Sequence, residues 1–356
     1  MSVNNKLKIG IVGCGTIADI QAQAIQNAIN TELNSVYSRS EKNARRVGEK
    51  YNTKWSTDWD HFLADKNMDA VAICTPNGNH LDYGKKAAEA GKHVIVEKPI
   101  EVSLSRGRQL IESCRQHGVK LAVIYQNRFM TEAKRMKQMI DDNEIGRIFM
   151  GDGYIKWYRT QEYYDSGAWR GTLALDGGGV LINQAIHTID LLQWYMGAVD
   201  SIFGNIATLS HQRLEGEDNA IAILQFKNGA MGVIEASTSI QPAQARRIEI
   251  HGSKGSLILN GDELQVLIEG QKDNEPKKDE LPTKESMGAS SPLGGFSIEP
   301  HKNQFVAIAD AIFSNKIPPV SGPESLKSLA IVLAIYESAK IQIPVDFEQF
   351  LRDSAN

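Results

Sequence analysis

Cysteine is scarce in this sequence, long apolar runs are missing, and neither sign of charge dominates. There are three cysteines in 356 residues. Cys14, Cys74 and Cys114 are scattered, form no CxxC pair and have no histidine at metal-ligand spacing. That argues against a disulfide framework and a zinc site, and predicts reduced thiols in a cytoplasmic protein. The longest apolar run, Leu329 to Tyr336, is far short of a membrane span. Met1 to Lys6 is polar and leads straight into a strand, so no signal peptide is expected. Lys and Arg total 39 against 43 Asp and Glu, a net charge of −4, and no basic run stands out. No nucleic-acid or membrane surface is expected from such a balance. Also missing are a Gly-x-Ser-x-Gly elbow, a P-loop and any cluster of metal ligands, so no metal is expected.

What is present is rhythm. At 356 residues two domains are expected. Over the first third, strands at Lys8 to Gly13, Leu33 to Tyr37, near Lys54, Asp69 to Cys74, His93 to Val96 and Leu121 to Tyr125 alternate with helical stretches. Such βα alternation predicts a doubly wound parallel sheet over residues 1–126. After Tyr125 a helix is expected over Met130 to Asp142, a strand over Ile148 to Tyr158 and a helix over Val180 to Met196. Then strand follows strand, with hairpin signals at Lys227-Asn228-Gly229 and Gly252-Ser253-Lys254-Gly255. Residues 127–356 therefore read as an α+β domain with a mainly antiparallel sheet, closed by helices over Lys302 to Phe313 and Glu324 to Ile341. Residues 270–286 and 290–300 read as loops, the second apolar enough to cover a site.

Gly13-Cys14-Gly15-Thr16-Ile17-Ala18 fits G-x-G-x-x-[G/A] between a strand and a helix. Gly13 permits the tight turn, Gly15 lets backbone N–H groups approach a pyrophosphate, and Ala18 allows close helix–strand packing. The second strand should end in Asp or Glu if a ribose 2′-hydroxyl is bound. It ends in Tyr37-Ser38-Arg39-Ser40, with no carboxylate before Glu41. Ser38 and Arg39 suit a 2′-phosphate, so NADP is favoured over NAD.

The buried strand His93 to Val96 runs into Glu97-Lys98-Pro99, which sets an ammonium group at the carboxyl edge of the sheet, where such folds bind ligands. Further on, Asp176, able to cap a helix, precedes Gly177-Gly178-Gly179. Three glycines leave a bare patch of backbone that suits close approach to a flat ring. Asn183, His187 and Asp190 follow at i, i+4, i+7 and share one face of a very apolar helix. Carbonyl/alcohol hydride transfer needs a group to move the hydroxyl proton and a cation or donor to hold the oxygen. His187 and Lys98 are the residues that answer best to those needs.

The glycine loop, Thr75-Pro76-Asn77 with His80, Glu97-Lys98-Pro99 and the glycine run followed by His187-x-x-Asp190 together resemble the Gfo/Idh/MocA oxidoreductases. These are relatives of glucose–fructose oxidoreductase and inositol 2-dehydrogenase. The resemblance spans nearly the whole chain. It implies a Rossmann domain, then an open-faced sheet whose exposed side joins copies into a homodimer or homotetramer. It also implies that helix 324–341 packs back on the first domain. Lys98 takes the place of the family's catalytic lysine, in a Lys98–Pro99 bond often cis in relatives, and His187 that of its catalytic histidine. Nucleotide contacts are implied for Gly13, Cys14, Gly15, Thr16, Ile17, Ser38, Arg39, Thr75, Pro76, Asn77, His80, Glu97 and Lys98. Many members carry Asp where this chain has Asn183, which cannot act as a base. The run Trp157 to Tyr164, with Trp169-Arg170-Gly171-Thr172 and Asn183-Gln184, resembles a branch that includes sugar-nucleotide 3-dehydrogenases, whereas Ser38-Arg39 resembles the NADP pattern of 1,5-anhydrofructose reductase.

By position, Tyr158, Arg159, Trp169, Arg170 and Asn183 are candidate substrate contacts, since aromatic and Arg side chains suit a sugar with an anionic substituent. His301, near the start of a closing helix, is another. The function implied is an NAD(P)-dependent oxidoreductase acting on a carbohydrate: a sugar, sugar nucleotide or polyol. A non-catalytic nucleotide-binding regulator of the same fold, or a dehydrogenase of a non-sugar diol or aldehyde, are the alternatives.

Overall fold

A computed structural model describes residues 6–268 and 297–354 of the chain. They form two compact units. One comprises the described residues of Met1–Phe129 and Ser297–Leu326, the other those of Met130–Phe296 and Lys327–Asn356. The loop read over residues 270–286 lies outside the described residues. So does most of that read over 290–300, whose last residues belong to a helix starting at Glu299.

The first unit is built on six parallel strands: β1 (Leu7–Val12), β2 (Thr31–Tyr37), β3 (Lys54–Ser56), β4 (Ala70–Ile73), β5 (His93–Val96) and β6 (Leu121–Val123). Their order is β3-β2-β1-β4-β5-β6. Strand order reverses between β1 and β4, and the loops after those two strands are therefore the ones that flank a ligand crevice. Ile9, Ile11, Val71, Ile73, Ile95 and Val96 are nearly or fully buried, as strands covered on both faces must be. Burying each such side chain contributes roughly 1.5–3 kcal/mol.

Helix Glu299–Phe313 completes this unit. Its buried residues Phe305, Ile308 and Ala309 join the core formed by β1 and helix Thr16–Asn27. Gln304 Nε2 donates to the carbonyl of Val123 at the end of β6 (2.8 Å). Residues 297–326 thus belong to this unit, and with them the first turn of helix Gly322–Ile341, where a Cβ on Gly322 would stand 2.5 Å from Ile111 and 2.8 Å from Leu121.

The second unit holds an eight-stranded sheet of β7 (Ile148–Lys156), β8 (Val199–Ala207), β9 (Asn219–Phe226), β10 (Met231–Ser237), β11 (Arg247–Gly252), β12 (Gly255–Asn260), β13 (Glu263–Ile268) and β14 (Val345–Asp346). The order is β13-β12-β11-β7-β10-β9-β8-β14, and only β7 and β10 run parallel. One face is covered by helix Ile186–Met196, which lies over β7 through Gly151, Gly153, Thr188 and Met196. The other face is open, and Phe203, Ile221, Ile223 and Met231 are exposed on it. The sequence reading does not include β8. A register shift between Val199 and Ser201 breaks its alternation, and Asp200, Gly204 and Asn205 dilute its apolar signal.

Candidate active site

In the first unit, the loop after β1 has the features a pyrophosphate needs. Gly13 has φ +91°, and a Cβ there would stand 2.8 Å from the Cys74 carbonyl oxygen after β4, so only glycine fits the turn. Around Gly15 nothing lies within 4 Å of a Cβ position, and Gly15 and Thr16 are exposed. Helix Thr16–Asn27 starts there with no side-chain cap, so its first N–H groups face an open concavity. Ala18 is fully buried against the sheet. These features fit a dinucleotide. Cys14 lies between the two glycines, but its thiol donates to the Tyr37 carbonyl (3.6 Å), and burial pushes its pKa up to about 12. It is an inert filler of the turn.

Asp19, which the sequence reading passed over, braces this loop. Burial opposes its charge, yet the hydrogen bonds from Lys50 Nζ (2.7 Å) and Arg46 Nη1 (2.8 Å) hold its carboxyl below the ordinary range. Arg46 Nη2 also donates to the Cys14 carbonyl (3.1 Å), tying helix Glu41–Lys50 to the glycine turn. At the end of β2, Ser38 is buried and its Oγ accepts from Ser40 N (3.2 Å), while Arg39 is exposed.

After β4, Thr75 and Pro76 lead into a short 3₁₀ turn, Asn77–Asn79, and Asn77 is buried. His80 is fully buried and its two ring nitrogens face carbonyl oxygens, Nδ1 that of Pro99 (2.9 Å) and Nε2 that of Thr75 (3.2 Å). Its side chain therefore ties the Thr75 turn to the turn after β5, and burial lowers its pKa. The Lys98–Pro99 bond is cis. Glu97 is buried: Gln21 Nε2 donates to its Oε1 and Lys98 N to its Oε2 (3.2 Å). Burial raises its pKa, against the pull of the Lys98 charge. Lys98 itself is half-buried. His301 is 4% exposed, its Nδ1 meets no partner among the described residues, and burial pushes its pKa down to about 4.

In the second unit the polar helix face is real but narrower than expected. From Asp176 to Gln193 every residue is buried except Asn183 and His187, which are half-exposed. Asp190, the third member of that face, is 1% exposed. The helix opens with a π-turn, Leu181–Ala185, before the regular helix Ile186–Met196; such turns recur at functional sites. Asp176 reaches it through Asn183. Its carboxylate accepts from Gly171 N (2.8 Å) and Asn183 Nδ2 (2.6 Å). The cap is Glu217, 36 residues beyond Leu181, which accepts from Leu181 N (2.8 Å), Gly179 N (3.1 Å) and the Tyr336 hydroxyl (3.0 Å). Burial pushes Glu217 up to about 7.

Two of the three glycines in the run have a packing reason within the unit. A Cβ on Gly179 would lie 1.8 Å from the Glu217 carbonyl oxygen, and one on Gly178 2.3 Å from the Tyr336 hydroxyl. The bare backbone makes room for Glu217 and Tyr336 of its own unit.

Of the expected substrate residues, all but His301 lie in this unit. Arg159 is 3% exposed; its Nη1 donates to the Tyr158 carbonyl and its Nη2 to Gln184 Oε1, both at 2.9 Å. Arg170 lies over the rings of Tyr163 (4.3 Å) and Trp169 (4.7 Å). Tyr158 is half-buried and bridges to Ser239. Among the described residues no group of three His, Cys, Asp or Glu could hold a metal ion, and no helix is long and apolar enough to cross a membrane.

Two family descriptions match. Residues 7–125 match the oxidoreductase family with an NAD-binding Rossmann fold, and residues 133–258 match the GFO/IDH/MocA C-terminal domain. The uncharacterized oxidoreductase YrbE of Bacillus subtilis is 26% identical over 97% of this chain and 98% of its own. The scyllo-inositol 2-dehydrogenase (NAD(+)) of the same organism is 33% identical over 62% of this chain and 63% of its own. The structure of the WlbA dehydrogenase from Bordetella pertussis, in complex with NADH and UDP-GlcNAcA, superposes with a TM-score of 0.83. It is 29% identical and covers 96% of this chain and 99% of that one.

Proposed function

The chain belongs to the GFO/IDH/MocA family of oxidoreductases with an NAD-binding Rossmann fold, and from that footing we propose that it oxidises a carbohydrate hydroxyl, or reduces the matching carbonyl, with a nicotinamide nucleotide. The substrate is a sugar, sugar nucleotide or polyol. The observation that carries this reading is the pair Asn183 and His187, the half-exposed positions in a stretch from Asp176 to Gln193 that is otherwise buried. His187 takes the hydroxyl proton at an imidazole nitrogen, and the Lys98 ammonium holds the oxygen as it becomes a carbonyl. Asn183, held by Asp176, donates to or accepts from a neighbouring hydroxyl. The bound nicotinamide supplies a hydride acceptor at C4. The glycine loop, Ser38 and Arg39 hold the nucleotide, and Glu97 fixes the backbone at Lys98. Turnover of a panel of polyols, sugars and sugar nucleotides, read by nucleotide absorbance, tests the reading. Tight nucleotide binding with no turnover on any carbohydrate would point instead to a regulator.

NADP is the nucleotide we favour, because β2 ends in Ser38 and an exposed Arg39 with no carboxylate. Ser38→Asp should set a negative charge against the 2′-phosphate and raise the NADP dissociation constant at least about tenfold relative to that of NAD. Fluorescence titration of both nucleotides measures this; an unaltered ratio would remove the 2′-phosphate from this corner.

We further propose that the open sheet face joins copies of the chain into a dimer or tetramer. Phe203 pairs with Ile223 across β8 and β9 and Ile223 with Val233 across β9 and β10, a row of three apolar residues, and Met231, two residues before Val233, pairs beside it with Met150 across β10 and β7. Such a row is costly to leave in water. Ile223→Lys should shift the oligomer towards monomer in light scattering, and a monomeric parent protein would contradict the proposal.

A further inference from the structure

The helix that carries Asn183 and His187 is held at its entry by one residue from a distant segment. Three successive backbone N–H groups there donate to Glu217: Gly179 N to Oε2 (3.1 Å), Val180 N to the main-chain carbonyl (2.8 Å) and Leu181 N to Oε1 (2.8 Å). These are among the N–H groups that a helix start leaves without intrahelical acceptors. A Cβ on Gly216 would stand 2.4 Å from Gly179 N, so the two segments touch backbone to backbone. The register runs on from this anchor. Asn183 N donates to the Gly179 carbonyl (3.1 Å), and His187 follows Asn183 by about one turn. A slip at the anchor therefore moves both half-exposed polar side chains together.

A carboxylate is a costly group with which to hold that anchor. Glu217 is 2% exposed, and its side-chain partners among the described residues are donors without a cation: the two N–H groups and the Tyr336 hydroxyl (3.0 Å). The positive end of the helix stands in for a counter-charge. The titratable groups facing it are Tyr336, from helix Gly322–Ile341, and, acting on Tyr336, Asp176. Asp218, next along the chain, accepts from Leu209 N, Ser210 N, His211 N and the His211 ring, so those two are committed to each other. Burial, foremost, raises the Glu217 pKa from the ordinary 4.5 to about 7, against the bonds from Leu181, Tyr336 and Gly179. A carboxyl raised in this way favours folding while protonated. Its contribution is complete below about pH 4.5 and is lost as the pH rises through about 7. The charged form is thus held against stability, as groups kept for function are.

We propose that Glu217, as a carboxylate, is a positioning residue for the hydride transfer: it fixes the helix entry, and through it the places of Asn183 and His187, so that turnover requires its charged form. This rests on the carbohydrate reading above. A carboxylate accepts from all three side-chain donors at once, whereas the protonated acid turns one oxygen into a donor. Since its partners donate, an added proton is accommodated when the Tyr336 hydroxyl turns to accept it, and the hold on the N–H groups weakens. Asn183 and His187 then lose the fixed register that proton transfer to the imidazole needs. Two protons therefore oppose turnover on the acid side, one on His187, which must be neutral to accept, and one on Glu217.

The test is the pH profile of kcat/KM for carbohydrate oxidation at saturating nucleotide, beside the thermal midpoint over the same range, about pH 5.5 to 9. The parent, Glu217→Gln and Tyr336→Phe are compared. In the parent the acid limb of log kcat/KM should approach a slope of two. In Glu217→Gln, which cannot ionise, the slope should fall to one and the plateau should lie about a hundredfold below the parent's. The midpoint of Glu217→Gln relative to the parent's should climb as the pH rises through about 7, where the parent alone ionises. Tyr336→Phe removes one donor and leaves both N–H groups, so its acid limb should move up by about one pH unit. That variant carries the test if Glu217→Gln does not fold. A Glu217→Gln protein with the parent's plateau, or an unshifted acid limb in Tyr336→Phe, overturns the proposal. A lowered plateau that keeps the slope of two is what a purely structural cap would give, and it overturns the proposal as well. A parent protein that oxidises no carbohydrate fails the hydride-transfer reading itself and the positioning role with it, whereas an active parent matched by its variants fails the positioning role alone.

Discussion

Lys98→Met is expected to lower kcat about a thousandfold while the nucleotide dissociation constant changes by less than about threefold. Methionine keeps much of the length and apolar stem of lysine and removes the ammonium group. If that group holds the substrate oxygen, its contribution grows as charge develops in the transition state, so the loss falls on kcat. The half-buried setting amplifies the effect, since a lysine partly withdrawn from water acts in a lower dielectric. Steady-state kinetics paired with a nucleotide fluorescence titration separates the outcomes. Equal losses in nucleotide affinity and turnover would make Lys98 a nucleotide ligand, and unaltered turnover would remove it from the reaction.

Gly179→Ala should destabilise the second unit by about 3 kcal/mol or more. The added Cβ would meet the Glu217 carbonyl oxygen at 1.8 Å, a backbone atom that no rotamer change can move aside. Gly216 is equally pressed from the other side, where a Cβ would stand 2.4 Å from Gly179 N. Relief requires the two segments to part, which pulls the Glu217 carboxylate off Gly179 N and Leu181 N and uncaps the helix bearing His187. The thermal midpoint by circular dichroism should fall by roughly 6 °C or more. Gly15→Ala is the control: its Cβ position is open and its φ of −79° is ordinary, so stability should scarcely change. A Gly179→Ala midpoint equal to the parent's would contradict the close approach of these segments.

These two sites differ in how much of their role the sequence discloses. Lys98 is legible because a short β-branched strand, bounded by Gly91 and Pro99, leaves little doubt about where the chain leaves the sheet. The glycine loop is legible for the same reason, and its backbone agrees in detail at Gly13. The glycine run is legible only as bare backbone. Nothing local tells whether a ring or a protein segment fills the gap, and here Glu217 and Tyr336, distant in sequence, fill it. His80 was read with the nucleotide contacts because it follows Thr75-Pro76-Asn77, yet two carbonyl oxygens from separate turns claim its ring. Glu217 is not legible in the sequence because a capping partner 36 residues beyond Leu181 depends on tertiary approach. Helix Glu299–Phe313 shows the same limit: its apolar stripe predicts burial, but not that the covering surface is β1 and helix Thr16–Asn27.

The most direct test of the central claim follows a label rather than a rate. The protein is incubated with NADP or NAD and a carbohydrate carrying deuterium on its carbinol carbons, and the recovered nucleotide is examined by mass spectrometry. The account predicts that deuterium moves to the nicotinamide C4 in the parent protein and that its transfer slows by orders of magnitude in Lys98→Met. Nucleotide that binds yet stays unlabelled with every carbohydrate offered would contradict it.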